Sequence, residues 1–298
     1  MAAEGAVCSA VSLAADEPLA GTASRFRSWL LIEQPGRWGH DALVDSAFPP
    51  DVGARLAEAG TRLGMRVLLV KQRQRPVAVP RRCFVAHTGR DRHRVASFEV
   101  DDPAWLMELD LDALVGRRFE GFGEPVPGPL YLVCTHGKHD PCCARLGGPL
   151  YRALAGFGDG AVWEATHVGG DRFAGNVVCF PHGLYFGRVG PGDAVGVAEA
   201  YARGRIALPF YRGRSAYPPA VQAAEHFVRE RHGIVGVEDL AFRAVRRLAR
   251  GRHVVEFDQV DGPRHRVEVA VGRRDPRILT CKSREPGRPL AFAVRTPQ

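Results

Sequence analysis

Three cysteines and two histidines fall within ten residues of this chain, in the run Cys134-Thr135-His136-Gly137-Lys138-His139-Asp140-Pro141-Cys142-Cys143. Core filling does not call for that density. Thiolates are nucleophiles and soft-metal ligands, and neutral imidazoles are metal ligands and proton acceptors. After twenty-three intervening residues beyond Cys143 a second polar run begins, His167-Val168-Gly169-Gly170-Asp171-Arg172. It adds another imidazole and a carboxylate on a flexible glycine loop. The chemistries within reach are metal binding, one-electron transfer through a metal centre, and thiol–disulfide exchange.

The flanking sequence says how the first run is held. Leu130 to Val133 is apolar and suits a buried strand, with Cys134 at its end. Residues 135–139 form a loop. Asp140 is a good helix N-cap, and Pro141 fits the first helical position, where its missing N–H costs nothing. Cys142 and Cys143 then lie in the first helical turn, where the dipole and free N–H groups favour a negative sulfur. Gly147-Gly148-Pro149 is expected to break or kink this helix, and Val162 to Thr166 reads as the next strand. Asn176 to Phe180 and Leu184 to Val189 read as a hairpin, followed by a helix from Asp193 to Gly204. Upstream, strands are expected at Ser28 to Glu33, Met65 to Val70, Arg82 to His87 and Val95 to Val100. Helices are expected at Pro50 to Leu63 and Asp102 to Leu114, after a loop-rich lead-in over residues 1–24. The strand–helix–strand–strand–strand–helix order occurs twice, without a visible sequence repeat. After residue 210, two helices (218–232 and 237–250) and three strands (253–259, 266–271 and 277–282) are expected.

The whole is an α/β (α+β) chain. Its divisions are an N-terminal α/β half over 1–122, a second module over 123–210 joined through the Gly/Pro-rich stretch 120–129, and a small α+β segment over 211–298. No apolar run is long enough for a membrane helix. The N-terminus lacks a basic n-region and an apolar h-region, so a cytoplasmic location is expected. Seven cysteines at uneven spacing argue for free, catalytic or metal-binding thiols over a disulfide framework. The formal charge of +8 is almost all arginine, spread along the chain, and permits an acidic partner without requiring one.

The two central runs resemble the sucrase/ferredoxin-like family, as do Cys8-Ser9 and the stretches 17–23 and 29–39. The likeness spans about residues 8–210. What it implies is a thioredoxin-like ferredoxin module carrying a 2Fe-2S cluster for electron transfer to a redox partner protein. By position, Cys134 and Cys143 match the family's two cysteines and His167 its first histidine. The second histidine position is Asp171 here. Carboxylates are uncommon cluster ligands, so three roles stay open to Asp171: ligand, partner of a histidine, or partner of Arg172. Cys142, His136 and His139 are the substitutes within reach. No pair of active-site carboxylates supports a glycosidase.

Other readings compete. A Cys/His/carboxylate set suits zinc, although the spacing is unlike a zinc knuckle. A clusterless thioredoxin-fold protein, either a thiol-redox protein or a binding module, is the main alternative. Its weakness is that the sulfurs are adjacent or widely spaced, not separated by two residues. Residues 243–252 read as a basic helix with a solvated arginine face, so nucleic acid is not the expected partner. Cys83, Cys179 and Cys281 read as strand thiols.

Overall fold

Strands that are buried on both faces form the centre of the molecule, as expected where helices or other strands cover both sides of a sheet. Its structure, a computed structural model, describes residues 7–73, 80–90, 92–115, 119, 121–248 and 251–297. A short helix, α1 (Cys8–Ala14), precedes β1 (Ser28–Glu33), α2 (Pro50–Leu63), β2 (Met65–Lys71), β3 (Arg81–Thr88), β4 (His93–Val100) and the two-residue β5 (Glu124–Pro125). Then come β6 (Leu130–Cys134), α3 (Pro141–Leu154), β7 (Val162–Ala165), β8 (Val177–Phe180), β9 (Leu184–Phe186), α4 (Ala194–Ala202) and β10 (Tyr211–Arg214). The last part holds α5 (Pro219–His232) and the strands β11 (Leu240–Arg247), β12 (Arg252–Gln259), β13 (Arg264–Arg273) and β14 (Leu290–Arg295). Among the described residues, no helix is long and apolar enough to cross a membrane. The mixed α/β class expected from the sequence is the one observed.

Ten strands make one sheet in the order β10-β9-β8-β6-β7-β2-β1-β3-β4-β5. Within it, β1 and β2 are parallel across the α2 crossover, and β6 and β7 are parallel across α3. β3 and β8 run antiparallel beside β1 and β6, and β4 and β9 follow. The two halves thus repeat one topology. They meet back to back at β2 and β7, antiparallel through Val70–Ala165 and Lys71–Glu164. The sheet curls until one face closes on itself. Trp29 of β1 lies edge-on to Phe180 of β8 at 5.1 Å, and Phe84 of β3 to Trp163 of β7 at 5.3 Å. Leu31, Val70, Leu132 and Cys134 share this enclosed core. α2 covers the outer face of the first half, and α3 and α4 that of the second. A separate four-stranded sheet, β11-β12-β13-β14, packs under α5 through Val221, Val228, Val255 and Phe257.

Several local expectations are corrected. α3 runs unbroken through Gly147-Gly148-Pro149. Burial of Leu150, Tyr151 and Leu154 outweighs the proline cost of about 3 kcal/mol. The expected helix at 102–114 is only a 3₁₀ turn, Pro103–Met107, capped by Asp102. Leu106, Leu109, Leu111 and Leu114 are all buried, at spacings that no single helical face supplies. The expected helix at 237–250 and the basic helix read over 243–252 are instead strand β11 (Leu240–Arg247) and the start of β12 at Arg252, with residues 249 and 250 outside the described set. A bulge between Phe242 and Ala244 shifts its alternation and mimics a helical period. Its arginines decorate a sheet edge, where charge discourages pairing with other chains. Residues 277–282 are not a strand; their β pairing is limited to an isolated Arg277–Gly287 bridge. α1 and β14 were not anticipated, and part of the stretch read as a linker pairs with β4 as β5.

Candidate metal centre

β6 is buried at all five positions and carries Cys134 to its carboxyl end. The chain turns through residues 135–140 and enters α3 at Asp140, whose carboxylate accepts from the Cys142 N–H at 2.9 Å. Strand and helix then approach unusually closely. A Cβ on Gly147 would sit 2.0 Å from the Cys134 carbonyl oxygen, so only glycine fits between them. This contact sets Cys143 beside Cys134 in the enclosed core.

The second run follows β7 and is shaped by glycine. Gly169 and Gly170 have φ of 105° and 82°, a conformation costly for other residues. Arg212, fully buried on β10, pins the loop by donating to the Gly169 carbonyl at 3.0 Å and to Asn176 Oδ1 at 2.7 Å. Asn176 in turn donates to the Gly170 carbonyl at 2.9 Å, and Arg66 to that of His167. The result aims His167 at the cysteine pair. Its Nδ1 is 2.9 Å from Asp171 Oδ1 and 4.0 Å from Cys143 Sγ, and Cys143 Sγ is 3.5 Å from Asp171 Oδ1. The ligand atoms of Cys134, Cys143 and His167 all lie within 4.8 Å of one another. So do those of His139, His167 and Asp171, with the two imidazoles stacked at 3.8 Å.

Proton placement follows from these contacts. A hydrogen bond from Cys143 holds Cys134 well below the usual thiol range, against its burial and with help from His167. Cys143 is pushed up by that same bond and by burial, so Cys134 is the sulfur of the pair that more readily carries negative charge. Burial would lower His167, but the bonds to Asp171 and Cys134 prevail and raise it to about 9. Asp171 is held low by His167 despite its burial. Burial, reinforced by the charge on His167, drives His139 down to about 4. The site is therefore a buried array of sulfur, carboxylate oxygen and imidazole nitrogen, a donor set suited to a cation, whose binding would displace the proton on His167.

Cys134, Cys143, His167 and Asp171, singled out by the sequence, are thus brought together. Asp171 contacts His167 and not Arg172, which pairs instead with Glu17 at 2.9 Å. Cys142, the substitute in the sequence reading, turns away: its sulfur lies 3.6 Å from Cys8 and 3.5 Å from Cys281. His136 donates through Nε2 to the Gly39 carbonyl at 2.7 Å, leaving its buried Nδ1 without a partner. Cys83 and Cys179 sit buried in strands, where burial raises both thiols. The loop after β1, residues 34–41, reads in the sequence as a turn or active loop; that it roofs the site does not show there. Trp38 stands edge-on to His136 at 5.9 Å, and His40 lies 6.4 Å from His139. Its Trp-Gly-His string was a visible signal, but its contact with residues a hundred positions later was not.

The sucrase/ferredoxin-like family matches residues 19–213. Among curated proteins, this chain is 33% identical over 101 residues to altered inheritance of mitochondria protein 32 of Meyerozyma guilliermondii. It is 34% identical over 100 residues to the protein of that name in Clavispora lusitaniae. These matches cover 30% of this chain in both cases, and 36% and 37% of the relatives, so the likeness spans about a third of their length. No solved structure matches the chain.

Proposed function

Because the chain belongs to the sucrase/ferredoxin-like family, we propose that it is an electron carrier with a 2Fe-2S cluster at the β6–α3 corner. The observation that carries this reading is the convergence of two buried sulfurs and one imidazole within 4.8 Å, with a carboxylate hydrogen-bonded to that imidazole. Thiolate and imidazole are the donors such clusters use, and the donor set fits. Cys134 and Cys143 would hold one iron. His167 and Asp171 would hold the other, with His139 the nearest substitute. When bound, the cluster would exchange single electrons at a potential above that of an all-cysteine site.

The chain's own residues give the site a direction. Cys134 and Cys143 are at most 1% exposed, whereas the His167 side chain is 17% exposed. The imidazole reaches a cleft of about 360 Å³ lined by His40, Arg66, His136 and His139. An adjoining cleft of about 760 Å³ is rimmed by Arg37, Lys71, Lys138 and Arg145. This basic mouth suits a redox partner protein with an acidic face. Neither membrane nor nucleic acid is needed for the role. All seven cysteines are free, which suits the reducing cytoplasm.

The closeness of the two buried sulfurs of Cys134 and Cys143 favours a second reading, a clusterless dithiol that cycles to a disulfide. Anaerobic purification with iron, sulfide and electron-paramagnetic analysis separates the two. The carrier reading expects a red-brown protein with about two irons per chain. Cys134→Ser should bleach it and Cys179→Ser should not. Colourless, iron-free protein with a Cys134–Cys143 disulfide would replace this reading with the second.

A further inference from the structure

A second cluster of sulfur lies on the opposite side of the α3 N-terminus. Cys8 of α1, Cys142 of α3 and Cys281 of the loop before β14 form a triangle with sides of 3.6, 3.5 and 3.5 Å. Cys8 and Cys142 are fully buried. Asp140 stands over the triangle with Oδ2 3.7 Å from Cys8 Sγ, and all four ligand atoms lie within 4.8 Å of one another. We infer that Cys8, Cys142, Cys281 and Asp140 form a structural zinc site, separate from the electron-transfer centre.

Geometry supports this first. Tetrahedral zinc with Zn–S bonds of about 2.3 Å has S···S edges of about 3.8 Å. Three sulfurs already at 3.5–3.6 Å need to open by only a few tenths of an ångström. Thiols are weak hydrogen-bond groups, and a disulfide would use two of them and strand the third. A divalent ion uses all three, each thiol giving its proton to solvent on binding. The carboxylate is held ready. Oδ1 accepts from the Cys142 N–H at 2.9 Å, and Oδ2 from the Cys281 N–H at 2.7 Å and the Thr280 hydroxyl at 2.9 Å. The α3 N-terminus favours the excess negative charge, and Val7, Leu146, Ala174 and Ile278 keep water away.

The need for such a tie is plain in the chain. α1 is seven residues long with no side-chain cap, and the loop carrying Cys281 has no regular secondary structure beyond the isolated Arg277–Gly287 bridge. Both converge on this triangle, from 134 and 139 residues away in sequence. Small elements with little core of their own are the ones that metals staple. Neighbouring cysteines on α3 thereby serve two centres, Cys143 the buried core and Cys142 the outer tie.

The test is native mass spectrometry with zinc and iron analysis of the full chain. One zinc per chain is expected, independent of cluster colour. Cys281→Ser should lower zinc content about tenfold, as loss of a ligand from a structural site does, while iron and visible absorbance stay. Cys8→Ser, at the chain's edge, should do the same if the first variant folds poorly. An unaltered chain without zinc overturns the site. So does undiminished zinc in both variants, or a disulfide between two of the three thiols. Failure of the electron-carrier reading would show instead as absent iron with zinc retained.

Discussion

Single residues here act through the partners that hold them. Glu238 is an example away from the metal centre. His182 Nε2 lies 3.0 Å from Glu238 Oε1, and His182 Nδ1 lies 2.5 Å from the Tyr201 hydroxyl. The contact with His182 holds Glu238 down to about 2, below its ordinary 4.5. A folded-state pKa below the unfolded one gives stability that is present above about 4.5 and lost as pH falls toward about 2. Glu238→Gln should therefore melt lower than the parent at pH 7, with a gap that closes as pH drops below 4.5; thermal melts across pH would check it. The side chain is 65% exposed, so salt should shrink the gap as well. At this scale the sequence was informative where residue type limits chemistry. Cys134, Cys143, His167 and Asp171 stood out by type and spacing. Cys8 and Cys281 did not, because nothing local marks a thiol that meets another across more than 130 residues.

Elements are fixed by close approaches and by buried charge. Gly147 lets α3 touch the Cys134 carbonyl, and a methyl there would collide with backbone. Gly147→Ala should cost about 1–3 kcal/mol in denaturant unfolding and reduce iron content, because it forces the two cysteines apart. α5 is joined to β10 by a fully buried carboxylate. Glu225 Oε1 accepts from Arg229 Nε at 3.0 Å and Arg214 Nε at 3.2 Å, and Oε2 accepts from the Tyr211 hydroxyl at 2.9 Å. Glu225→Gln would leave two guanidinium groups buried without a counter-charge, a loss of about 3–5 kcal/mol by equilibrium unfolding. A small change there would mean that water reaches the network. The strand and helix periods of β1, α2, β2, β6 and α5 were legible because one periodicity holds throughout. β11 was not, since its bulge breaks the alternation, and α3 hid its continuity behind Pro149. In both, tertiary packing decided what local pattern left ambiguous.

At the scale of the whole molecule, the doubled topology divides labour. The second half supplies Cys134, Cys143, His167 and Asp171, the residues we propose to hold the metal, and the loop after β1 of the first half closes over them. Trp38 anchors that loop, with Lys71 Nζ 4.1 Å from its ring and its own Nε1 donating to the Gln34 carbonyl at 3.2 Å. Trp38→Ala should leave the visible spectrum nearly intact but speed iron loss to a chelator severalfold, read as the rate of bleaching. Unchanged rates would show that the roof does not guard the centre. The sequence hinted at this doubling through its repeated element order. The back-to-back joint at β2 and β7 and the curl that closes the shared core depend on pairings with no local trace.

The lopsided exposure of the centre carries a kinetic consequence. Sulfur is sealed in and imidazole faces the cleft, so a cluster held there, as we propose, would give electrons this one doorway for both arrival and departure. A donor and an acceptor cannot occupy it together. On the proposed reading the protein would work as a shuttle, unloading one caller before receiving the next, and a surplus of either caller should slow traffic to the other.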